Sequence, residues 1–262
     1  MNQIKQNISL LCIAISLLAL GACSSDPSNP EPQPYTYPTS VNTKWSYDYY
    51  QDTTNLEAGY FDIGKLHKSI IAPVTLLGRT GYLLETHTVP GNNSPASENR
   101  DTAIYATQNG NYFLYINSVA DLLGDIIPQN SVPPANPRWL EYLRPLSPIG
   151  QSYVISTNDT INVNFPIGGV PTNITGVVNV NGAVEKEETL TYYNKEYKTK
   201  KIAVTFSINA FLTPGGSPIP LTFVSYFWVA NEVGIVRNDY APPALPGQSF
   251  PRFRQTLINL NR

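Results

Sequence analysis

Hydrophobic and polar residues alternate along much of the chain after residue 40, most clearly in the stretch that follows Lys201. Apolar side chains at every second position would lie on one face of a β-strand, with polar side chains on the other. The apolar set is Ile202, Val204, Phe206 and Ile208, and the polar set is Thr205, Ser207 and Asn209. Strand-forming composition also predicts strands over 44–51, 82–88 and 253–260. The body of the chain is therefore predicted to be all-β.

The stretch 221–230 differs, because large apolar side chains occupy both faces. Phe223 and Phe227 would share one face, and Tyr226 and Trp228 the other. This pattern predicts a central strand that is covered on both sides. The one helix predicted is short, at 119–125, where the glycine at 124 and the proline at 128 would end it.

Two Asn-Gly pairs, Asn109-Gly110 and Asn181-Gly182, each separate two strand-like segments. Both residue types tolerate the positive φ that a two-residue hairpin turn requires. The pairs therefore predict two hairpins, 104–116 and 174–190, and an antiparallel sheet rather than a parallel α/β sheet.

The N-terminus has the pattern of a secretory signal. A polar stretch with Lys5 precedes an apolar run at 8–20, which is shorter than the roughly 20 residues of a membrane span. Leu20-Gly21-Ala22-Cys23 resembles the lipobox of bacterial lipoproteins. The resemblance implies a signal peptide over 1–22 and a lipid on Cys23; the alternatives are an ordinary signal peptide cut elsewhere or a short membrane anchor.

Lipoprotein processing would also decide the use of the two cysteines. Cys12 would leave with the signal peptide and Cys23 would carry the lipid, so the mature chain would have no thiol for a disulfide or for a metal site built on cysteine. By analogy with enteric bacteria, Ser24 after the lipidated cysteine favours the outer membrane of the cell envelope.

Residues 23–40 form a proline-rich segment after the predicted lipid. Such a segment favours extended polyproline II or disorder, and at roughly 3.1 Å per residue it would reach about 50 Å. We interpret it as a tether; a proline-rich ligand for a partner domain is the alternative. Residues 41–262 would then be a single β-rich domain.

Charge is sparse in this chain. Charged residues make up 14% of it, and loss of Lys5 leaves 16 basic against 19 acidic residues in the mature protein. A body this close to neutral gives no electrostatic reason to expect binding to nucleic acid or to anionic lipid headgroups.

Two short segments resemble uncharacterised lipoproteins of the Bacteroidetes. They are Pro-x-x-Val-Asn-Thr-Lys-Trp-Ser-Tyr at 38–47 and Tyr-Phe-Trp-Val-Ala-Asn-Glu-Val-Gly-Ile-Val-Arg at 226–237. The resemblance implies a curved antiparallel sheet, a half-barrel or barrel-like body similar to the outer-membrane lipoprotein carriers. It implies no active site.

The sequence contains few candidates for a catalytic or metal-binding site. Glu85 and His87 would share a strand face and could form a metal or acid–base site, but an exposed polar face is the plainer interpretation. No spacing selects a pair from the scattered carboxylates Asp62, Glu85, Asp101, Glu141, Asp159 and Asp239. We therefore predict no catalytic residue, no cofactor and no metal ligand.

Aromatic residues, 11% of the chain, are the remaining candidates. They could line a concave surface that stacks sugars or receives an acyl chain, although an ordinary β core would use them equally well. The candidates are Trp45, Tyr47, Tyr49, Trp139, Tyr226 and Trp228. Asp-Thr-apolar triplets at Thr102 and Thr160 resemble O-glycan acceptors of the Bacteroidetes.

These features favour a non-enzymatic module, anchored in the membrane by its lipid, that binds a protein, glycan or lipid partner. A periplasmic carrier or chaperone for a lipid or lipoprotein is the first alternative, and it requires an apolar hollow. A hydrolase with an unrecognised carboxylate pair is the second, and it requires two acids in one cleft.

Overall fold

The computed structural model of the protein describes residues 35–52, 61–91, 97–123, 135–167, 170–211, 217–241 and 252–262. The signal peptide, Cys23, most of the tether and the predicted helix end at residues 124–128 lie outside them. None of the helical structure in the described ranges is long and apolar enough to cross a membrane.

Twelve strands account for nearly all of the described structure, and a single 3₁₀ turn at Val119–Leu122 lies between the fifth and sixth strands. The strands are β1 Lys44–Asp52, β2 Phe61–Leu76, β3 Arg79–Pro90, β4 Asn99–Gln108, β5 Asn111–Ile116, β6 Arg138–Leu143, β7 Ser152–Ile167, β8 Val170–Tyr192, β9 Lys195–Phe211, β10 Ile219–Ala230, β11 Gly234–Ala241 and β12 Arg252–Asn261.

All twelve strands form one antiparallel sheet in the order β6-β5-β4-β3-β2-β1-β12-β11-β10-β9-β8-β7. Each strand pairs with its neighbours in sequence, except that β6 and β7 form the two edges of the sheet. In addition, β1 pairs with β12, which joins the two halves of the chain. Register shifts that indicate β-bulges occur in several ladders and increase the local twist and bend of the strands. The prediction of an all-β, curved antiparallel sheet is confirmed.

The two edge strands, β6 and β7, lie beside each other across a gap that we call the seam. Side chains rather than a described backbone ladder bridge it. The guanidinium of Arg138 donates to Ser156 Oγ at 2.9 Å and pairs with the carboxylate of Asp159. The hydroxyl of Tyr153 donates to the carbonyl of Tyr142 at 3.2 Å. The sheet is therefore a nearly closed barrel.

The inner face of the barrel carries the main apolar core. Ile202, Val204 and Phe206 of β9 are almost completely buried there, as the alternation predicted. The phenyl rings of Phe206 and Phe223 stack across the β9–β10 ladder with centroids 4.5 Å apart. The core therefore follows directly from the period-two pattern.

A short segment before β1 closes one end of the barrel, which we call the tether end. Tyr37 is 8% exposed, and the backbone of Thr36 exchanges hydrogen bonds of 2.8 Å with Asn231 and Glu232 in the β10–β11 turn. This segment belongs to the same compact unit as the strands, Tyr35–Arg262. The 3₁₀ turn follows β5 at the opposite end, which we call the helix end.

One of the two predicted hairpins is confirmed. Asn109 and Gly110 have φ values of 52° and 77° and connect β4 to β5. The prediction of a turn at Asn181-Gly182 is wrong, because both residues lie within the continuous strand β8. Gly182 instead makes room for an aromatic ring: a Cβ there would lie 2.2 Å from Cζ of Tyr153 on β7.

The hairpin turn that ends β8 is at Tyr193-Asn194, where φ is 50° and 61°. The predicted helix at 119–125 is only a 3₁₀ turn in the described residues. Ser118 caps its N-terminus by accepting the Ala120 backbone N–H at 3.0 Å.

Candidate functional site

Described residues of the barrel interior line two cavities. The first, cavity 1, lies at the tether end and has a volume of about 50 Å³. Nine of its ten wall residues carry no charge, and five of these are aromatic. The walls are formed by Tyr37, Pro38, Trp45, Tyr47, Lys68, Leu84, Tyr105, Tyr112, Gly234 and Ile235.

Cavity 2 lies toward the helix end and has a volume of about 210 Å³. Its walls are mainly large apolar and aromatic side chains, with three smaller polar side chains from the strands. They are formed by Tyr49, Leu122, Leu123, Tyr142, Phe206, Ser225, Phe227, Asn238, Tyr240, Phe253 and Gln255. The 3₁₀ turn contributes to this wall through its last residue, Leu122, and through Leu123, its C-cap.

One hydrogen bond connects the two cavities. Nζ of Lys68, in the wall of cavity 1, donates to Oε1 of Gln255, in the wall of cavity 2, at 3.3 Å. The ammonium also lies 5.3 Å from the centroid of the Tyr47 ring. Lys68 and Gln255 therefore mark the junction between the cavities, near the middle of the barrel.

The polar tips of the aromatic residues in cavity 1 bind the backbone around it. Trp45 Nε1 donates to the Val233 carbonyl at 2.8 Å, and the Tyr47 hydroxyl donates to the Ile235 carbonyl at 2.9 Å. The Tyr105 hydroxyl donates to the Pro38 carbonyl at 2.6 Å. These bonds fix the rings so that they present apolar surface to the cavity.

Tyr37 is the exception in this wall. Its buried hydroxyl has no hydrogen-bond partner among the described residues. Buried polar groups in proteins are nearly always satisfied, so a group of this kind calls for a specific explanation.

Burial sets the ionisation of the interior groups. It raises the pKa values of Tyr47, Tyr105 and Tyr112, so these phenols are neutral at physiological pH. Burial has the opposite consequence for a cation and lowers the pKa of Lys68 to about 8. Among the described residues that line the two cavities, the one charged group is therefore an ammonium of reduced basicity.

The structure divides the aromatic candidates between the two faces of the sheet. Trp45 and Tyr47 line cavity 1, and Tyr49 lines cavity 2. Trp139 lies on the outer face, where its ring packs against Tyr115 with centroids 5.5 Å apart. The candidates thus do not form one continuous concave surface.

Tyr226 and Trp228 lie on the outer face of β10, opposite Phe223 and Phe227 as predicted. Trp228 is only 5% exposed. The side chains of Lys201 and Arg237 lie over its ring, and its Nε1 donates to Glu188 Oε1 at 2.7 Å. Long charged side chains, rather than a second apolar layer, therefore cover this face.

Glu85 and His87 lie on the outer face, each in contact with a residue of the neighbouring segment. Glu85 pairs with Arg100 at 3.4 Å, and Nε2 of His87 lies 2.7 Å from Oε1 of Glu98. His67 contacts Ser46 Oγ at 3.0 Å through its Nδ1. The described part of the chain contains no group of three potential metal ligands.

The carboxylates considered for hydrolysis are engaged elsewhere. Asp159 pairs with Arg138 at the seam, Glu141 pairs with Arg144 at 2.7 Å, and Asp239 binds Arg237 and Arg254. None of the carboxylates that the structure describes lines either cavity. Thr102 and Thr160 are both exposed, as a modified side chain would need to be.

Sequence reasoning missed the residues at the junction. Lys68 is in phase with Leu66 and Ile70, two buried residues of β2, so the alternation alone places its side chain inside. Gln255 is in phase with Phe253 and Leu257 in the same way. A charged residue at an inward-facing position of β2 was the available signal.

Comparison with known proteins identifies the fold but no family. No family model matches the chain, and no curated protein matches it. A predicted lipoprotein of Parabacteroides distasonis has a solved structure that matches with a TM-score of 0.52 at 16% identity, covering 88% of this chain and 100% of that one. A predicted exported protein of Bacteroides fragilis, with a YmcC-like fold, matches with a TM-score of 0.48 at 11% identity, covering 87% and 100%.

These identities establish shared architecture and nothing finer. The barrel-like sheet of this chain occurs in at least one other protein of the Bacteroidetes, and that protein is described as a lipoprotein. This agrees with the resemblance found in the two short sequence segments.

Proposed function

We propose that this chain is a cell-envelope lipoprotein that binds a small ligand inside its β body and carries out no catalysis. The observation that carries the proposal is the pair of interior cavities with largely aromatic and aliphatic walls. Ligand sites in proteins are typically concave, mostly apolar and roughly 300–1,000 Å³ in volume, with a few polar groups. Both cavities are smaller than this range, but their walls have this composition of apolar and aromatic side chains with a few polar groups.

The envelope location is supported by the lipobox-like sequence ending at Cys23 and by the fold shared with a predicted lipoprotein. We propose attachment to the outer membrane through the lipid on Cys23, with Ser24 as the supporting residue. Loss of labelled palmitate incorporation in Cys23→Ala would test the anchor; incorporation that persists would place the lipid elsewhere.

The cavities favour a small molecule as the ligand over a protein or a glycan chain. The described candidates for sugar stacking on the outer face, Trp139 and Trp228, are occupied by intramolecular contacts. The inward-facing Trp45 and Tyr47 are accessible only to a ligand that enters the barrel.

A periplasmic carrier is the second candidate function, because the same cavities would hold a cargo. The two functions differ in ligand release: a carrier passes its ligand to acceptor vesicles, whereas a lipoprotein that only binds the ligand retains it. Exchange of a bound ligand into phospholipid vesicles, followed by fluorescence, would separate them.

Native mass spectrometry tests the interior site. The mature chain, residues 23–262, is made without the predicted signal peptide so that Cys23 stays unmodified, and is incubated with an envelope lipid extract. We expect a small molecule to stay bound to the native chain. Ser225→Leu, which fills cavity 2, should reduce the bound fraction, and Ser207→Leu, on the outward side of β9, should leave it unchanged.

Two results would overturn the proposal. One is the absence of any retained molecule in the unsubstituted chain. The other is equal retention in all three proteins, because a ligand on the outside of the barrel would not respond to the filling of cavity 2.

A further inference from the structure

Lys68 is the one charged side chain among the described residues that line the two cavities. It lies on β2 opposite Trp45 of β1 and Thr86 of β3, with its ammonium at the Gln255 amide. The fold therefore holds a cation near the middle of an apolar barrel.

The described part of the chain supplies no carboxylate that pairs with the ammonium of Lys68. Among the ion pairs of the described residues, none includes Lys68. Four other lysines of the described strands, Lys65, Lys186, Lys200 and Lys201, each pair with an Asp or Glu.

The groups that face Lys68 from the surrounding elements are neutral. They are the phenols of Tyr37 in the segment before β1, Tyr47 of β1, Tyr105 of β4 and Tyr112 of β5, all with pKa values raised by burial, and the amide of Gln255 of β12. Burial lowers the pKa of Lys68 to about 8, so most of it still carries its proton at neutral pH. The barrel thus contains an unbalanced positive charge.

An unbalanced charge in an apolar interior costs free energy, which an anion supplied from outside would recover. One ammonium balances one negative charge, whereas a dianion would leave an unbalanced anion in its place. The neighbouring Gln255 amide offers a further N–H donor, as one carboxylate with two oxygens requires. Beyond the junction, cavity 2 offers apolar walls from Phe206, Phe227 and Phe253.

We propose that Lys68 and Gln255 bind the carboxylate of a single-chain, singly charged amphiphile, and that cavity 2 receives its hydrocarbon chain. The inference rests on the proposed interior binding and adds the chemical class of the ligand. Charge-assisted hydrogen bonds of this kind are roughly twice as strong as neutral ones, so the ammonium would select the anion over an uncharged analogue.

Calorimetric titration of the mature chain with dodecanoate below its critical micelle concentration and with dodecanol below its solubility limit tests this selection. The two compounds share a hydrocarbon chain and differ in charge. We expect dodecanoate to bind more tightly, and Lys68→Met to weaken dodecanoate roughly tenfold while leaving dodecanol unchanged. Lys198→Met, at an exposed lysine of β9, is the matched control and should change neither affinity.

The pH dependence adds a second readout. Dodecanoate affinity should fall as pH rises above about 8, because free Lys68 loses its proton there. Dodecanol affinity should stay constant over the same range. Lys68→Arg should bind dodecanoate without this decline, since a guanidinium does not titrate there.

The possible results distinguish failure of this inference from failure of the proposed function on which it rests. Equal binding of the acid and the alcohol, unaffected by Lys68→Met, would overturn the ligand class but leave interior binding in place. Tighter binding of dodecyl phosphate than of dodecanoate at pH 8 would replace the monoanion with a dianion. Absence of any binding, together with no retained molecule in native mass spectrometry, would overturn the proposed function itself.

Discussion

The outer and inner faces of the sheet treat charge in opposite ways. On the outer face, Arg237 and Arg254 both donate through Nε to Asp239 Oδ1 at 2.9 Å, and their other donors reach the second oxygen. On the inner face, the described neighbours of Lys68 are an amide and aromatic rings, and none of them is a carboxylate. Charge on the outer face therefore stabilises the fold, whereas the charge on the inner face costs stability and is explained by a ligand.

The largest test of this contrast removes the outer carboxylate. Asp239→Ala takes away the group that two guanidiniums share in a largely buried position, and we expect a loss of about 3 kcal/mol in the free energy of unfolding. Urea denaturation followed by tryptophan fluorescence measures it. Glu196→Ala, at an exposed position of β9, is the control, and its free energy of unfolding should be close to that of the unsubstituted protein.

Measuring the stability of the unsubstituted protein and of Asp239→Ala as pH is lowered tests whether the Asp239 charge causes the difference. Burial works against ionisation of Asp239, but hydrogen bonds from Arg237 and Arg254 outweigh it and lower the pKa of the carboxyl below 3.8. A depressed pKa contributes stability that is present above 3.8 and lost as pH falls through the folded value. The difference in the free energy of unfolding between the unsubstituted protein and Asp239→Ala should therefore decrease in acid. A difference that persists in acid would assign the loss of stability to packing.

The next test removes the inner charge. Lys68→Met keeps the length and apolar body of the side chain and deletes an ammonium whose pKa is lowered by burial. We expect the variant to be more stable than the unsubstituted protein by about 2 kcal/mol at neutral pH, a value reduced from the full pKa shift because the side chain is partly exposed. Urea denaturation measures the difference, and its sign is opposite to that for Asp239→Ala.

The pH dependence of the Lys68 effect follows from the same shift. Below about pH 8 both folded and unfolded chains are protonated at Lys68, and the folded chain bears the whole cost. Between about 8 and 10.5 the folded chain loses the proton first, so the unsubstituted protein gains stability and the advantage of Lys68→Met shrinks. A variant less stable than its parent at pH 7 would show that Lys68 is a structural residue.

Much of this architecture could be predicted from alternation alone. The faces of β9 and β10, the strands β1 and β12, and the turn at Asn109-Gly110 follow from local pattern. Asn181-Gly182 has the same local pattern and lies inside β8. What separates the two cases is a tertiary contact, because the ring of Tyr153 occupies the space a side chain at Gly182 would need.

The candidate site was less predictable, because it depends on how distant strands pair. Lys68 and Gln255 are 187 residues apart and meet only because β1 lies between β2 and β12. Alternation assigns each of them to the inner face, but it gives no indication that they adjoin each other or that two cavities meet there. The same limit applies to Trp45 and Trp228, which are the same residue type. Trp45 lines cavity 1, whereas Trp228 lies on the outer face.

The smallest expected effect compares two lysines of one strand. Lys65 lies on β2 three residues before Lys68, but on the outer face, where it pairs with the carboxylate of Asp48, whose side chain is 3% exposed. Lys65→Met leaves Asp48 with the hydroxyl of Tyr193 and without its cation. We expect a loss of about 1 kcal/mol in the free energy of unfolding, since the lysine itself is well exposed and solvent screens the pair.

The two lysines should also differ in their response to alkali. The hydrogen bond with Asp48 raises the pKa of Lys65 above 10.5, so its contribution is complete below that value and is lost as pH rises through the folded pKa. Lys65→Met should therefore cost the same from pH 7 to about 10, over the range in which the Lys68→Met advantage disappears. Parallel pH profiles for the two variants would contradict the contrast between the faces, because they would show that both ammonium groups have equivalent surroundings.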